Sequence, residues 1–268
     1  MRAVTGIVCL PVCLAVLLTS CARPAPRGSV ASSSAPRPGS TVQRLGESEN
    51  VTPDPRVGAI FRGVSQEGGK LHVCTGSVIH STGGDMVLTA AHCLLGEMDA
   101  TFVPGFAGDA TTTDTFTVAE VYFDARWMAG RDPRADYAIA KVSGAGLVER
   151  RAGAALSLGT APPPGSRVSV TGYPAGVGGR PIACHGITGV AEGGFPSLPC
   201  KGLVDGTSGA PWVSGSTVVG VVGGFEGGGC TENLSYSASF DEHTAQLLAR
   251  AEAGGPGDSP PGDYEDSC

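Results

Sequence analysis

Three short stretches of the 268-residue chain carry side chains that could do chemistry together. "VLTAAHC" (87–93) sets His92 at the end of an apolar run, beside Cys93. "DYAIAKV" (136–142) opens on Asp136, a carboxylate at the edge of an apolar segment. "DGTSGAPW" (205–212) places Ser208 between glycines, in what reads as a tight turn. Singly, each has a plain explanation: a histidine packed beside a disulfide, an aspartate capping a turn, a serine in a Gly-rich loop. Jointly they are the parts of a nucleophilic hydrolysis. A serine hydroxyl attacks poorly at neutral pH unless a base stands within hydrogen-bond reach. An imidazole, with an ordinary pKa of about 6.5, can be that base. A carboxylate behind the ring holds its tautomer and stabilises its cation.

Such a site needs rigid elements that converge from distant parts of the chain, and the composition supplies strands. There are 42 Gly and 20 Pro and only 16% charged residues, so short apolar runs are punctuated by turns, as in barrels and sandwiches. "RVGAIF", "HVCTGSVIH", "DMVLTAA", "DTFTVAEVYF", "DYAIAKV", "RVSVTGYP" and "STVVGVVGG" read as strands. Residues 157–167, "SLGTAPPPGSR", break the pattern and read as a connection between two halves. Asp241 can cap a helix over "EHTAQLLARAEA".

The ends of the chain read differently. Residues 1–20 have a charged start at Arg2 and an apolar stretch interrupted by Pro11, the pattern of an export signal rather than a membrane span. Leu18-Thr19-Ser20-Cys21 resembles the lipobox of bacterial lipoproteins, which implies lipidation at Cys21 and a membrane anchor at the cell surface; without lipidation the protein is expected to be secreted. Residues 21–50 are rich in Pro, Ser and Ala and read as a disordered tether. The acidic segment 251–268 reads as a solvated tail. Cys9 and Cys13 leave with the signal and Cys21 takes the lipid. Cys74, Cys93, Cys184, Cys200, Cys230 and Cys268 remain, an even set that implies three disulfides in an exported protein. A net charge of −7 argues against a nucleic-acid partner.

The order His92, Asp136, Ser208, within "TAAHC", "DYAIA" and "GTSGAP", resembles the trypsin-like (chymotrypsin-fold) serine peptidases. "RVGAIF" and "DGTSGAPW" look like the secreted bacterial branch of that family, and the resemblance covers about residues 51–250. It implies an all-β fold of two antiparallel six-stranded β-barrels, about 51–156 and 157–239, with a C-terminal helix and the three residues meeting in the cleft between them. It implies a serine endopeptidase acting on protein or peptide substrates through an acyl-enzyme, with no cofactor or metal, as a monomer. The N–H groups of Gly206 and Ser208 are expected to form the oxyanion hole, where losing one donor costs about 3–4 kcal/mol of transition-state stabilisation. The resemblance pairs Cys74 with Cys93 around a loop whose closure contributes roughly 3 kcal/mol. It favours Cys184–Cys200, leaving Cys230–Cys268; Cys200–Cys230, bracketing Ser208 as in trypsin, stays open as the rival.

Carried onto this chain, the family pattern lays an extended substrate along Gly223, Gly224 and Phe225 by main-chain pairing. Trypsin has an acid six residues before its serine; here that position is Gly202, so the matching anion for Arg or Lys is missing. Leu203 and Leu234 fall near the pocket walls, and a small or apolar residue before the scissile bond is expected. Thr207 stands where trypsin has the aspartate that pairs with a newly freed amino terminus. No such activation is expected, and neutral hydrogen bonds should hold the turn. His72, His80, His185 and His243 lack metal-ligand spacing, and Trp212 reads as core. Two other function classes compete. An α/β-hydrolase esterase expects G-x-S-x-G and the order Ser, Asp, His; here Ala210 replaces the last glycine and the order is reversed. A surface-anchored binding module with a vestigial triad is opposed by the intact His92, Asp136 and Ser208.

Overall fold

A computed structural model describes residues 45–63, 71–96, 99–109, 114–176, 178–229 and 233–262. The signal segment, Cys21 and the tether up to residue 44 lie outside the described residues, as do Cys230 and Cys268. Among the described residues, no helix is long and apolar enough to cross a membrane.

The described residues begin with two short strands, β1 (Gly46–Glu47) and β2 (Glu49–Asn50). Six strands of the first half come next: β3 (Val57–Arg62), β4 (His72–Ile79), β5 (Met86–Thr89), β6 (Ala100–Pro104), β7 (Phe116–Phe123) and β8 (Ala138–Ser143). They close into a barrel in the order β3-β4-β5-β8-β7-β6. Its strands are apolar on both faces, and the two-residue alternation sorts them. Val87, Val121, Phe123, Ala138, Ala140 and Val142 fill the barrel with Phe102 and Phe116. Their neighbours Met86, Leu88, Tyr122, Tyr137 and Ile139 face outward into a second core with Val218, Val221, Phe240 and Leu247. Burying one such aliphatic side chain contributes about 1.5–3 kcal/mol, so the barrel and the later strands share one apolar seam.

The second half contains β9 (Ser157–Leu158), β10 (Arg167–Gly172), β11 (Ile182–Ile187), β12 (Gly189–Val190), β13 (Pro196–Lys201), β14 (Pro211–Ser214), β15 (Thr217–Val221) and β16 (Leu234–Tyr236). The resemblance implied a second closed barrel; the pairings instead give two sheets. One has six strands in the order β2-β11-β10-β14-β15-β9, and in the other β13 pairs with β1, β12 and β16. Residues 46–50, which by composition belong to the end of the tether, occupy the strand edges: β2 pairs with Ile182 and Ala183, and β1 pairs with Cys200 and Lys201. β11 and β13 are joined instead by the disulfide Cys184–Cys200, with Cα atoms 6.5 Å apart. That bond excludes the rival Cys200–Cys230. Trp212 is fully buried in the core between these sheets.

Among the described residues, three α-helices interrupt the strands: α1 (Ala125–Gly130), α2 (Val148–Ala152) and α3 (Glu242–Glu252), the last capped by Asp241 as expected. Arg126 links two of them. Its guanidinium donates to the α1 cap Asp124 at 2.8 and 3.0 Å, and to the α3 cap Asp241 at 3.0 Å. Tyr137 also donates to Asp124, at 2.6 Å. The acidic tail is less free than its composition implied. Asp258 accepts from the Phe123 N–H at 2.7 Å and from Arg250, and the carbonyl of Gly255 accepts from Tyr122. Residues 255–262 therefore lie back along the first barrel.

Burial would raise the Asp124 carboxyl; the hydrogen bonds from Arg126 and Tyr137 outweigh it and hold the group at about 2. A depressed carboxyl stabilises the fold above its ordinary value of about 3.9, and that contribution is lost as pH falls from about 4 towards 2. Asp124→Asn should lower the unfolding free energy at pH 7 by about 2 kcal/mol, measured by urea titration. The gap from wild type should shrink towards pH 2; equal stability at pH 7 would contradict the assignment.

Candidate active site

The site begins where β5 ends. A single 3₁₀ turn, Ala91–Leu94, carries His92 out of the barrel, and Cys93 is bonded to Cys74 of β4, with Cα atoms 6.0 Å apart. This is the pair expected from the sequence. Asp136 stands just before β8, the strand that pairs with β5 (Thr89 opposite Ala138), after a short turn, Pro133–Ala135, capped by Asp132. It is 1% exposed. Its Oδ2 lies 2.8 Å from His92 Nδ1 and accepts from the Gly224 N–H at 2.8 Å, while Oδ1 accepts from the His92 N–H at 3.0 Å. Burial alone would push this carboxyl up. The charge and hydrogen bond of His92, with the two backbone N–H groups, reverse that and hold it below its ordinary value. The carboxylate thus stays ionised, and a proton on Nδ1 points at it.

Ser208 lies in the turn between β13 and β14. Its carbonyl accepts from the Thr75 N–H at 2.8 Å and stands 3.7 Å from Cys93 Sγ, so the serine turn is seated against the residue that comes after His92. Two glycines make the turn possible. Gly206 has φ +89°, and a Cβ there would lie 2.1 Å from the Ala175 nitrogen. Gly209 has φ +80°, and its Cβ would lie 2.2 Å from both the Thr75 carbonyl oxygen and Thr89 Oγ1. The turn's donors can be accounted for one by one. The N–H of Thr207 goes to Val204, that of Gly209 to Val222 and that of Ala210 to Thr207. Among the described residues, the N–H groups of Gly206 and Ser208 are the two between 206 and 210 without a protein acceptor. Thr207 is buried, and its hydroxyl donates to the Val204 carbonyl at 2.7 Å, a neutral bond.

Beside Ser208 is a cavity of about 160 Å³. Leu203 lines it, together with Val204, Val222 and Glu226. Gly202 and Leu234 are not among its walls. Gly202 instead meets Ser48 of the N-terminal segment, whose hydroxyl donates to its carbonyl at 3.1 Å, and Leu234 pairs with Pro199. Glu226 had no signal in the sequence; it holds a left-handed conformation, φ +49°, within a run of glycines. The N–H groups of Gly223 and Gly224 are already given to Tyr236 and Asp136, which limits main-chain pairing there to the remaining groups. Phe225 stacks on Phe195 at 5.2 Å and meets Tyr236 edge-on at 5.2 Å.

Of the other histidines, His80, His185 and His243 are exposed. His72 is buried, its Nε2 2.7 Å from the Gly178 carbonyl oxygen. Cys74, Cys93 and His92 are close enough to suggest a metal site, but the two sulfurs are bonded to each other and are not thiolates.

Residues 74–222, more than half of the chain, match the family described as trypsin-like peptidase domain. No curated protein matches the chain in sequence. Among solved structures, the protease Anisep from Arthrobacter nicotinovorans is 21% identical, with a TM-score of 0.66 over 77% of this chain and 100% of its own. The thermostable serine protease AL20 from an extremophilic microorganism is 24% identical, with a TM-score of 0.63 over 75% and 99%. Human heparin binding protein is 20% identical, with a TM-score of 0.62 over 79% and 98%. These likenesses establish the fold. One of the three is named for binding, so the chemistry has to be argued from the site.

Gly209→Ala should cost on the order of 3 kcal/mol, because the added methyl has a backbone carbonyl and a buried hydroxyl in its way. Chemical denaturation of the purified variant tests this, and an unchanged midpoint would mean that the turn is not seated as described.

Proposed function

The chain belongs to the trypsin-like peptidase family and is a serine endopeptidase hydrolase, and from that premise we propose that His92, Asp136 and Ser208 are its catalytic triad. The carrying observation is the buried Asp136 carboxylate bonded to both the backbone and the ring of His92. His92 Nε2 takes the Ser208 proton as Oγ attacks the peptide carbonyl. The imidazolium is stabilised by Asp136 and then gives its proton to the leaving amine. The carbonyl oxygen, now negative, is received by the N–H groups of Gly206 and Ser208, which lack other acceptors among the described residues. Water then attacks the acyl-enzyme, with His92 again as base.

The domain is read as about residues 51–250, with halves of about 51–156 and 157–239, and β1 and β2 add strands to the sheets of the second half. Activation by a freed terminus is not part of this reading. The N–H of Val57 is bonded to the Asp54 carbonyl at 2.9 Å, and Thr207 offers a hydroxyl in place of a charge. A freed ammonium would find no carboxylate at position 207 itself. Export is supported by the two disulfides, and the lipid anchor at Cys21 and a monomeric state remain part of the proposal.

The cavity beside Ser208 is small and its lining is more polar than apolar; its size, with Leu203, Val204 and Val222 among its walls, supports a small residue before the scissile bond. A second reading, a basic residue there, is favoured by the acidic residues Asp205 and Glu226 among its walls. A peptide-library digest separates the two.

Ser208→Ala or His92→Ala should lower kcat by on the order of 10⁶ with the fold intact by circular dichroism, and Ser208→Ala should abolish labelling by a fluorophosphonate. Near-wild-type turnover in Ser208→Ala would remove the nucleophile assignment. The rate should rise with pH through about 6–7, as an imidazole loses its proton. Asp136 is held below its ordinary value, so it stays ionised throughout this range and adds no limb of its own. A flat profile from about pH 5 to 8 would contradict His92 as the base.

A further inference from the structure

We propose that Thr75 is a positioning residue for the oxyanion hole, setting the direction of its two donors from the first barrel; the inference rests on the assignment of the Gly206 and Ser208 N–H groups as those donors. Thr75 lies in β4 next to Cys74 and is fully buried. All of its polar groups are engaged. Its N–H donates to the Ser208 carbonyl at 2.8 Å, its carbonyl accepts from the Thr89 hydroxyl at 2.7 Å, and its hydroxyl has two partners. The Tyr173 N–H donates into that hydroxyl at 2.9 Å, and the hydroxyl lies 2.9 Å from the Gly206 carbonyl oxygen. A hydroxyl has one proton. Because one neighbour is a donor, that proton is directed at Gly206.

The effect on the donors comes from peptide planarity, which points each N–H opposite the carbonyl of its own unit. The Gly206 N–H is set by the Asp205 carbonyl, which accepts from Ala175 at 2.7 Å; the Ser208 N–H is set by the Thr207 carbonyl, which accepts from Ala210 at 2.9 Å. Between these two planes lies the Gly206–Thr207 peptide. Its N–H is held by Val204 and its carbonyl by Thr75. Gly206 has no side chain to resist rotation of that plane, so the Thr75 hydroxyl supplies the restraint. A turn of the middle plane swings the two flanking donors out of convergence. Thr75 touches no substrate and acts through the backbone.

The test compares Thr75→Val, which keeps the shape and removes the hydroxyl, with Thr75→Ser, which restores it. Both are assayed as the full chain against a peptide p-nitroanilide chosen from the library digest of the wild type. Correct folding is checked by near-ultraviolet circular dichroism and thermal melting. Thr75→Val should lose about 10- to 100-fold in kcat with KM within about twofold, and Thr75→Ser should recover most of it. A peptide boronate, whose tetrahedral oxygen occupies the oxyanion position, should lose affinity by a similar factor, while the hydrolysed product peptide binds unchanged. Wild-type kcat in Thr75→Val, a change confined to KM, or a Thr75→Ser variant as impaired as Thr75→Val would overturn the proposal. If Thr75→Val does not fold, Thr75→Ser together with its boronate affinity decides: near-wild-type values support it and losses matching a Ser208→Ala variant overturn it. A wild type without Ser208-dependent turnover would overturn the underlying triad reading, and this inference with it.

Discussion

A carboxylate removed from water must find partners for its charge, and Asp136 finds all of its partners in the fold. That requirement organises the molecule. One partner, His92, comes from the turn after β5, and another, the Gly224 N–H, from the segment after β15 in the second half. The approach is close enough that a Cβ at Gly223 would lie 2.9 Å from Asp136 Oδ2. The two halves therefore meet at a charge as well as along an apolar seam. The next residue, Tyr137, continues the connection to Asp124, Arg126 and the cap of α3. α3 is thereby tied to the strand that begins just after Asp136.

The turn bearing Ser208 is fixed by a different kind of force. Around Thr207 the bonds are neutral and mostly backbone, some local, as to Val204, and some from β4, as from Thr75. Neutral bonds of this type contribute about 1 kcal/mol each and do not depend on a terminus or on pH. The arrangement can form as soon as β4, the loop at 173–176 and the turn itself are in place. The disulfide Cys74–Cys93 then holds β4 against the histidine turn.

How much of the structure is legible in the sequence depends on how locally each feature is encoded. Strands β3, β4, β5, β7 and β8 are readable because their apolar residues continue over both faces. β6 ("ATFVP"), β11 ("IACHGI") and β13 ("PSLPCK") carry polar residues or prolines, and their pairing comes from distant strands, so no local pattern marks them. β1 and β2 hide in a polar stretch that reads as a linker. His92, Asp136 and Ser208 stand out by residue type and order. Thr75 and the Gly224 N–H do not, because their contributions are a buried hydroxyl and a backbone donor whose partners are far along the chain. Gly202 and Leu234 lie outside the cavity beside Ser208 for a related reason. Positions carried over from a family pattern assume equal loop lengths, and the Gly-rich run 223–229 turns in its own way, bringing Glu226 to the cavity wall instead.

The N-terminal strands have a consequence for how the chain is made. Ser48 and Gly202, which touch in the finished fold, are 154 residues apart. During synthesis or passage across a membrane the leading segment emerges first and finds no edge to join until β11 and β13 have emerged too. Closing so long a loop carries a large entropic cost, and such contacts form late. The nascent protein would therefore hold a nearly finished first barrel while residues 46–50 wait unpaired. Docking of those residues is the final latch, and it would come after the strands that carry the serine have been delivered.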